Sequence, residues 1–206
     1  DERFTGDLID LAGRGTRASR RRRVLVSLPA LRTFTERNWV SLIESAGGIY
    51  FGPEKAQVLV EILELTPLQG EMARAFMKAT SSIKSSTRKS RVLQEVIKKG
   101  NLDSEMASLV TDATRSIHSN PIRAEVLSRL AVELPDGKKA LEEFLESVAD
   151  LSESGLKETV LRRYLHQSRS PEQLAAVLSF VRKELAQGEV RRQLEEDLGQ
   201  KIAAST

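Results

Sequence analysis

The pair Val-Leu returns every 34 residues, as Val24-Leu25, Val58-Leu59, Val92-Leu93, Val126-Leu127 and Val160-Leu161. Leu194-Glu195 keeps the phase and loses half of the pair. A fixed period of this length constrains a chain more than any local motif, because it demands one supersecondary unit that packs on copies of itself. Other columns share it. One runs Leu28, Ile62, Val96, Leu130, Tyr164, Leu198; a second Leu8, Leu42, Phe76, Val110, Phe144, Leu178; a third Gly15, Ile49, Ile83, Ile117, Leu151, Leu185. Six units of 34 account for 204 of the 206 residues, leaving no length for a second domain.

The units run approximately over 1–34, 35–68, 69–102, 103–136, 137–170 and 171–206. Within one of them, Met72, Phe76, Ala79 and Ile83, then Val92, Leu93, Val96 and Ile97, follow the helical period, so each unit is a pair of helices, A and B. The column Ala18, Gly52, Ser86, Asn120, Ser154, Gly188 is expected to supply the N-cap of helix B, with Pro53 and Pro121 at its first helical position. Helix A is expected to start near Thr66-Pro67, Asn101, Asp136-Gly137 and Ser170-Pro171, the last with Gln173 at capping-box spacing. A lone hairpin leaves an apolar face uncovered, whereas stacked hairpins share one core. The expected fold is therefore all-α: one domain over 1–206, an α-solenoid of six 34-residue hairpins with about twelve helices. Glu195 and Gly199 in apolar columns give the last unit the look of a capping repeat.

The tetratricopeptide repeat has the same length, but its tryptophan, glycine, alanine and proline columns are missing; Trp39 shares its column with Ala73, Ala107 and Leu141. The stretches IKSSTRKSRVL (83–93) and IHSNPIRAEVL (117–127) resemble instead the turn of a bacterial HEAT-like repeat, I-S-S-D-Y-[ED]-[KR]-x-x-V-L. That repeat follows membrane-embedded metallopeptidase domains or occurs in envelope-associated signalling proteins. Ser86-Thr87 and Asn120-Pro121 stand where its aspartate and tyrosine would be. The resemblance implies a protein-interaction or sensory module, with any catalytic residues in another domain.

The most regular polar feature is a basic ladder, one residue per unit at the third position of helix B: Arg21, Lys55, Lys89, Arg123, Lys157 and Arg191. A cation in a first helical turn opposes the macrodipole. The helix A column Asp10, Glu44, Lys78, Asp112, Glu146, Phe180, mostly acidic, is one expected counterweight. Either the ladder ties hairpins together by ion pairs and packed alkyl stems, or it reads an acidic peptide or polyanion along a groove.

Two further features single out the N-terminal units. In GGIYFGP, Tyr50 and Phe51 occupy columns that are polar or small elsewhere, flanked by glycines and expected close to Arg17. They form either a binding hot spot or a pair of rings folded onto their own hairpin. In RASRRRRVLVSL (17–28), Arg21 and Val24-Leu25 belong to repeat columns, whereas Arg20, Arg22 and Arg23 are additional. Residues 1–37 hold nine arginines and five acids, and no acid lies between Leu11 and Thr35. Arg17, Arg20, Arg22, Arg23, Tyr50 and Phe51 are thus the candidate partner-binding residues.

Catalysis finds little footing. The two histidines, His118 and His166, lie in different units without a second ligand at helical spacing, there is no cysteine, and H-E-x-x-H does not occur. No enzyme activity, metal or cofactor is expected. No apolar run reaches the ~18 residues of a membrane span, so the segment is expected to be soluble, cytoplasmic or periplasmic. The start at Asp1 without a methionine fits a fragment of a larger chain. The expected function is a non-catalytic interaction scaffold whose partner is a protein or another domain of the same chain. The rival is nucleic-acid binding, with the N-terminal arginines and the ladder contacting phosphates.

Overall fold

In the computed structural model the described residues are 9, 18–31, 34–100, 102–167 and 170–205, without the side chains of 18–21, 29–31 and 205. They form eleven helices and no strand, so the protein is all-α. Helix A of the first unit falls outside the described residues, as do Leu8, Asp10, Gly15 and Arg17 of the sequence columns. None of the described helices is long and apolar enough to cross a membrane.

The helices fall into two compact units, Asp1–Lys99 and Gly100–Thr206. The first contains α1 (Ala18–Leu31), α2 (Glu36–Gly47), α3 (Gly52–Leu65), α4 (Gly70–Ser81) and α5 (Ser86–Lys98). Here α3 packs between α1 and α5 in one layer, and α2 packs on α4 in the other. The second contains α6 (Ser104–Arg115), α7 (Asn120–Glu133), α8 (Lys138–Ala149), α9 (Ser154–Leu165), α10 (Pro171–Glu184) and α11 (Glu189–Ser205). In it α9 lies between α7 and α11, while α8 lies between α6 and α10. Within each unit a helix therefore packs on the equivalent helix of the next repeat, which is what a 34-residue period of apolar columns requires.

The apolar columns are the core. Val58-Leu59, Val92-Leu93, Val126-Leu127 and Val160-Leu161 are wholly buried, as are Leu42, Phe76, Val110 and Phe144. Tyr164 enters a column of aliphatics by stacking on Phe144, ring centroids 5.9 Å apart. Val24 departs from its column at 39% exposure, although Leu25 beside it is fully buried. Leu178 also departs, half-buried where Leu42, Phe76, Val110 and Phe144 are enclosed. The isoleucine column makes the turn from helix A to helix B. After a right-handed cap at Gly48, Ser82, Ser116 or Asp150, the N–H of Ile49, Ile83, Ile117 or Leu151 donates to a carbonyl three residues back. Its side chain turns inward and is buried, so two residues complete the turn.

Several helix ends differ from expectation. The cap of helix B sits one residue earlier, at Phe51, Ser85, Ser119 and Glu153, all extended. The reason is that these residues' carbonyls accept the first helical bonds, from Lys55, Lys89, Arg123 and Lys157 N–H. Pro53 and Pro121 thus take the second helical position and Lys55, Lys89, Arg123 and Lys157 the fourth, whereas α11 starts at Glu189, directly after Gly188 as expected, with Arg191 third. Among these four caps, Ser85 alone also has a described side-chain bond, accepting from Arg88 N at 3.5 Å. Helix α4 begins at Gly70 and not near Thr66, because Thr66 is the extended C-cap of α3 and Pro67 follows it. Helix α6 is capped by Asp103, which accepts from Met106 N at 2.7 Å, and Asn101 lies outside the described residues. Ser170 and Gln173 form the expected capping box, and Thr35 with Asn38 forms a second one at the start of α2.

Candidate functional site

The ladder is largely interior. Lys55, Lys89 and Arg123 are 7%, 3% and 7% exposed, and Lys157 and Arg191 are half-buried; the Arg21 side chain is outside the described residues. The heads of two of them reach the C-terminal end of helix A in the following repeat. Lys55 Nζ donates to Ser82 Oγ at 2.8 Å, where Ser82 caps α4. Arg123 Nη2 donates to Ser147 O at 3.1 Å, to Ser147 Oγ at 3.0 Å and to Asp150 Oδ2 at 3.0 Å, at the end of α8. A cation that opposes the dipole of its own helix at the N-terminus therefore meets the negative end of the neighbour's. Arg191 instead pairs along its helix with Glu195, Nε to Oε1 2.8 Å. Burial holds the Lys89 ammonium below its ordinary pKa.

The counterweight is thus not the acidic column proposed from the sequence. Asp112 and Glu146 of that column pair with Arg115, at 3.4 and 3.2 Å. The partners of Lys55 and Arg123 lie 27 residues beyond the cation, in the cap column that contains Ser82 and Asp150. Sequence reasoning passed over this column because its members change between serine and aspartate, sharing acceptor chemistry and not charge. A search for acceptors at fixed offset from the ladder finds them.

Among the N-terminal arginines, Arg22 donates through one edge of its guanidinium to both carboxylate oxygens of Glu61 of α3, Nε to Oε2 at 3.2 Å and Nη2 to Oε1, and this pairing raises its pKa further. Arg22 also lies close enough to Glu54, in the first turn of the helix that Phe51 caps, for its charged form to be favoured by that carboxylate. Glu61 lies nine residues after Gly52, about 14 Å along the helix. Arg23 is exposed. Arg17 and the side chain of Arg20 fall outside the described residues.

The rings of Tyr50 and Phe51 are not folded under. Tyr50 is 93% and Phe51 54% exposed, and Lys84 Nζ stands 5.7 Å from the centroid of the Tyr50 ring. Lys84 is Tyr50's equivalent one repeat later, so the pair spans the turns before α3 and α5. On α5, Arg88 and Arg91 are exposed, one turn apart on a single face, and form no ion pair among the described residues. The basic residue beside the aromatic turn is therefore Lys84, with Arg88 and Arg91 four and seven residues further along the chain, and sequence reasoning missed it because it weighed a run of arginines above residues brought together by stacking. Charge divides with the fold. Residues 1–99 carry 18 basic and 11 acidic side chains, net +7, and residues 100–206 carry 14 and 18, net −4.

His118 and His166 are both exposed, and no three potential metal ligands cluster among the described residues. In the second unit, a groove of about 710 Å³ runs beside Glu146, Asp150, Phe180 and Lys183, and another of about 540 Å³ beside Leu141, Leu145, Ser170 and Ala176. The first holds the Arg115 ion pairs and the second the Ser170 cap. Neither brings a nucleophile to a histidine base. No family model, curated protein or solved structure matches the chain.

Proposed function

We propose that the chain is a HEAT-like α-solenoid module of six 34-residue hairpins that performs no catalysis. It binds a protein partner, or another domain of its own chain, through exposed surface of its N-terminal repeats. The observation that carries this is the aromatic turn: Tyr50 and Phe51 stand exposed in columns occupied elsewhere by polar or small residues. No repeat-packing role requires them there, and rigid aromatic side chains beside arginine are the composition of interface hot spots. Buried ladder cations support a scaffold role for that feature, since donors spent on cap serines and an aspartate are withdrawn from ligands.

A photo-crosslinking residue placed at position 51 tests the proposal in extracts of the source cell. A protease-sensitive, nuclease-resistant adduct supports it. A nuclease-sensitive adduct overturns it in favour of the second reading, nucleic-acid binding, which the +7 charge of residues 1–99 favours. Titration with duplex and single-stranded DNA and RNA at 50 and 200 mM salt checks that rival directly, because each phosphate contact steepens the salt dependence.

A further inference from the structure

We infer that the edge of the first unit formed by the turns before α3 and α5 docks an acidic peptide segment carrying an apolar anchor. The inference rests on the interaction proposal and names the partner's chemistry. Three observations converge on this edge. Phe51 and Tyr50 offer aromatic surface to solvent, and Lys84 lies over one face of the Tyr50 ring. Arg88 and Arg91 continue the basic surface along the first two turns of α5 without a described ion pair. The acid in the first turn of α3, Glu54, is half-buried with its Oε2 turned inward, and its charge is shared with Arg22.

Phe51 is also the N-cap of α3 and has no side-chain acceptor to offer, so the positive end of that helix faces the same edge without a side-chain cap. Charge complementarity therefore selects an anionic partner. Bases are poorly served here, because stacking along a strand needs successive free aromatic faces, and Lys84 already occupies one side of Tyr50. Carboxylates reaching Lys84, Arg88 and Arg91 while an aliphatic or aromatic side chain packs on Phe51 use every feature present.

The test is selection of a displayed random 16-residue peptide library on the chain spanning 1–206, followed by anisotropy titration of the winners. Enrichment of aspartate and glutamate around an apolar residue is the expected result. Binding should weaken about tenfold or more in Tyr50→Ala/Phe51→Ala and in Arg88→Glu/Arg91→Glu, and weaken as salt rises from 50 to 300 mM. All four are surface positions, and unchanged thermal melting of the variants shows that the loss is local. Enrichment of neutral or basic peptides that still lose affinity in Tyr50→Ala/Phe51→Ala overturns the acidic partner and leaves the interaction module standing. Acidic peptides that bind both double variants as well as the parent overturn this edge as the site. Failure to enrich any peptide, with or without binding to DNA, RNA or phosphatidylserine vesicles, overturns this inference; nucleic-acid binding alone overturns the interaction module as well.

Discussion

A lysine or arginine at the fourth residue of a helix would ordinarily sit in water. In this protein Lys55, Lys89 and Arg123 sit inside, and the side chains of Lys55 and Arg123 run between hairpins to deliver their donors to the end of the next helix A. Arg123→Met strands acceptors at Ser147 and Asp150 and is expected to lower stability by about 1–3 kcal/mol in urea unfolding. Thr80 is the converse case: it is wholly buried and its hydroxyl finds no partner, so Thr80→Val should raise stability by about 1 kcal/mol. Lys89 gives a pH signature. Its folded pKa lies below the ordinary 10.5, so in the interval between the two the unfolded chain holds more protons and stability rises with pH. Below that interval both states are protonated and the dependence vanishes. Unfolding curves between pH 8 and 10.5 should show this rise in the parent and lose it in Lys89→Met.

Helix boundaries are where local chemistry and stacking divide the control. Ser170 and Gln173 satisfy each other's backbone partners at the start of α10, at 3.3 and 3.0 Å, and Ser170→Ala should cost about 1 kcal/mol. The close approach of α2 and α4 depends on Gly47, where an added Cβ would stand 3.1 Å from that of Ala79. Gly47→Val is expected to destabilise by about 1–3 kcal/mol, read as a shift in denaturation midpoint at unchanged slope. The helices, their apolar columns and the Ser170 box were legible because each depends on residues within one repeat. The one-residue displacement of the helix B caps was not, since the cap is chosen by the carbonyl that accepts from the ladder N–H and not by the identity of a capping side chain. Likewise the exposure of Tyr50 was undecidable from its own hairpin; what sits on its ring is Lys84 of the next.

At the scale of the molecule, the Val-Leu columns are not uniform along the chain. Val24 is open to solvent, whereas the position after Leu194 is Glu195, held by Arg191 at 2.8 Å and near Arg182 at 3.7 Å. Glu195→Leu would put an apolar side chain at this half-buried position with no ion pair to hold it, and light scattering after size exclusion should report concentration-dependent self-association absent from the parent. The opposed charges of residues 1–99 and 100–206 are countable from the sequence, but only the fold places the boundary at Lys99 that separates them.

The links made by Lys55 and Arg123 point one way along the chain, from a helix B to the helix A that follows it. Consequently the array has a grain. Removing hairpins after such a link leaves a buried cation with its acceptor gone, whereas removing those before it leaves a Ser82 or Asp150 already open to water. Shortened versions of this protein should therefore tolerate trimming from the N-terminal side of a link far better than from the C-terminal side, and anyone building longer arrays from these units would add them where the last cation is still waiting for a cap.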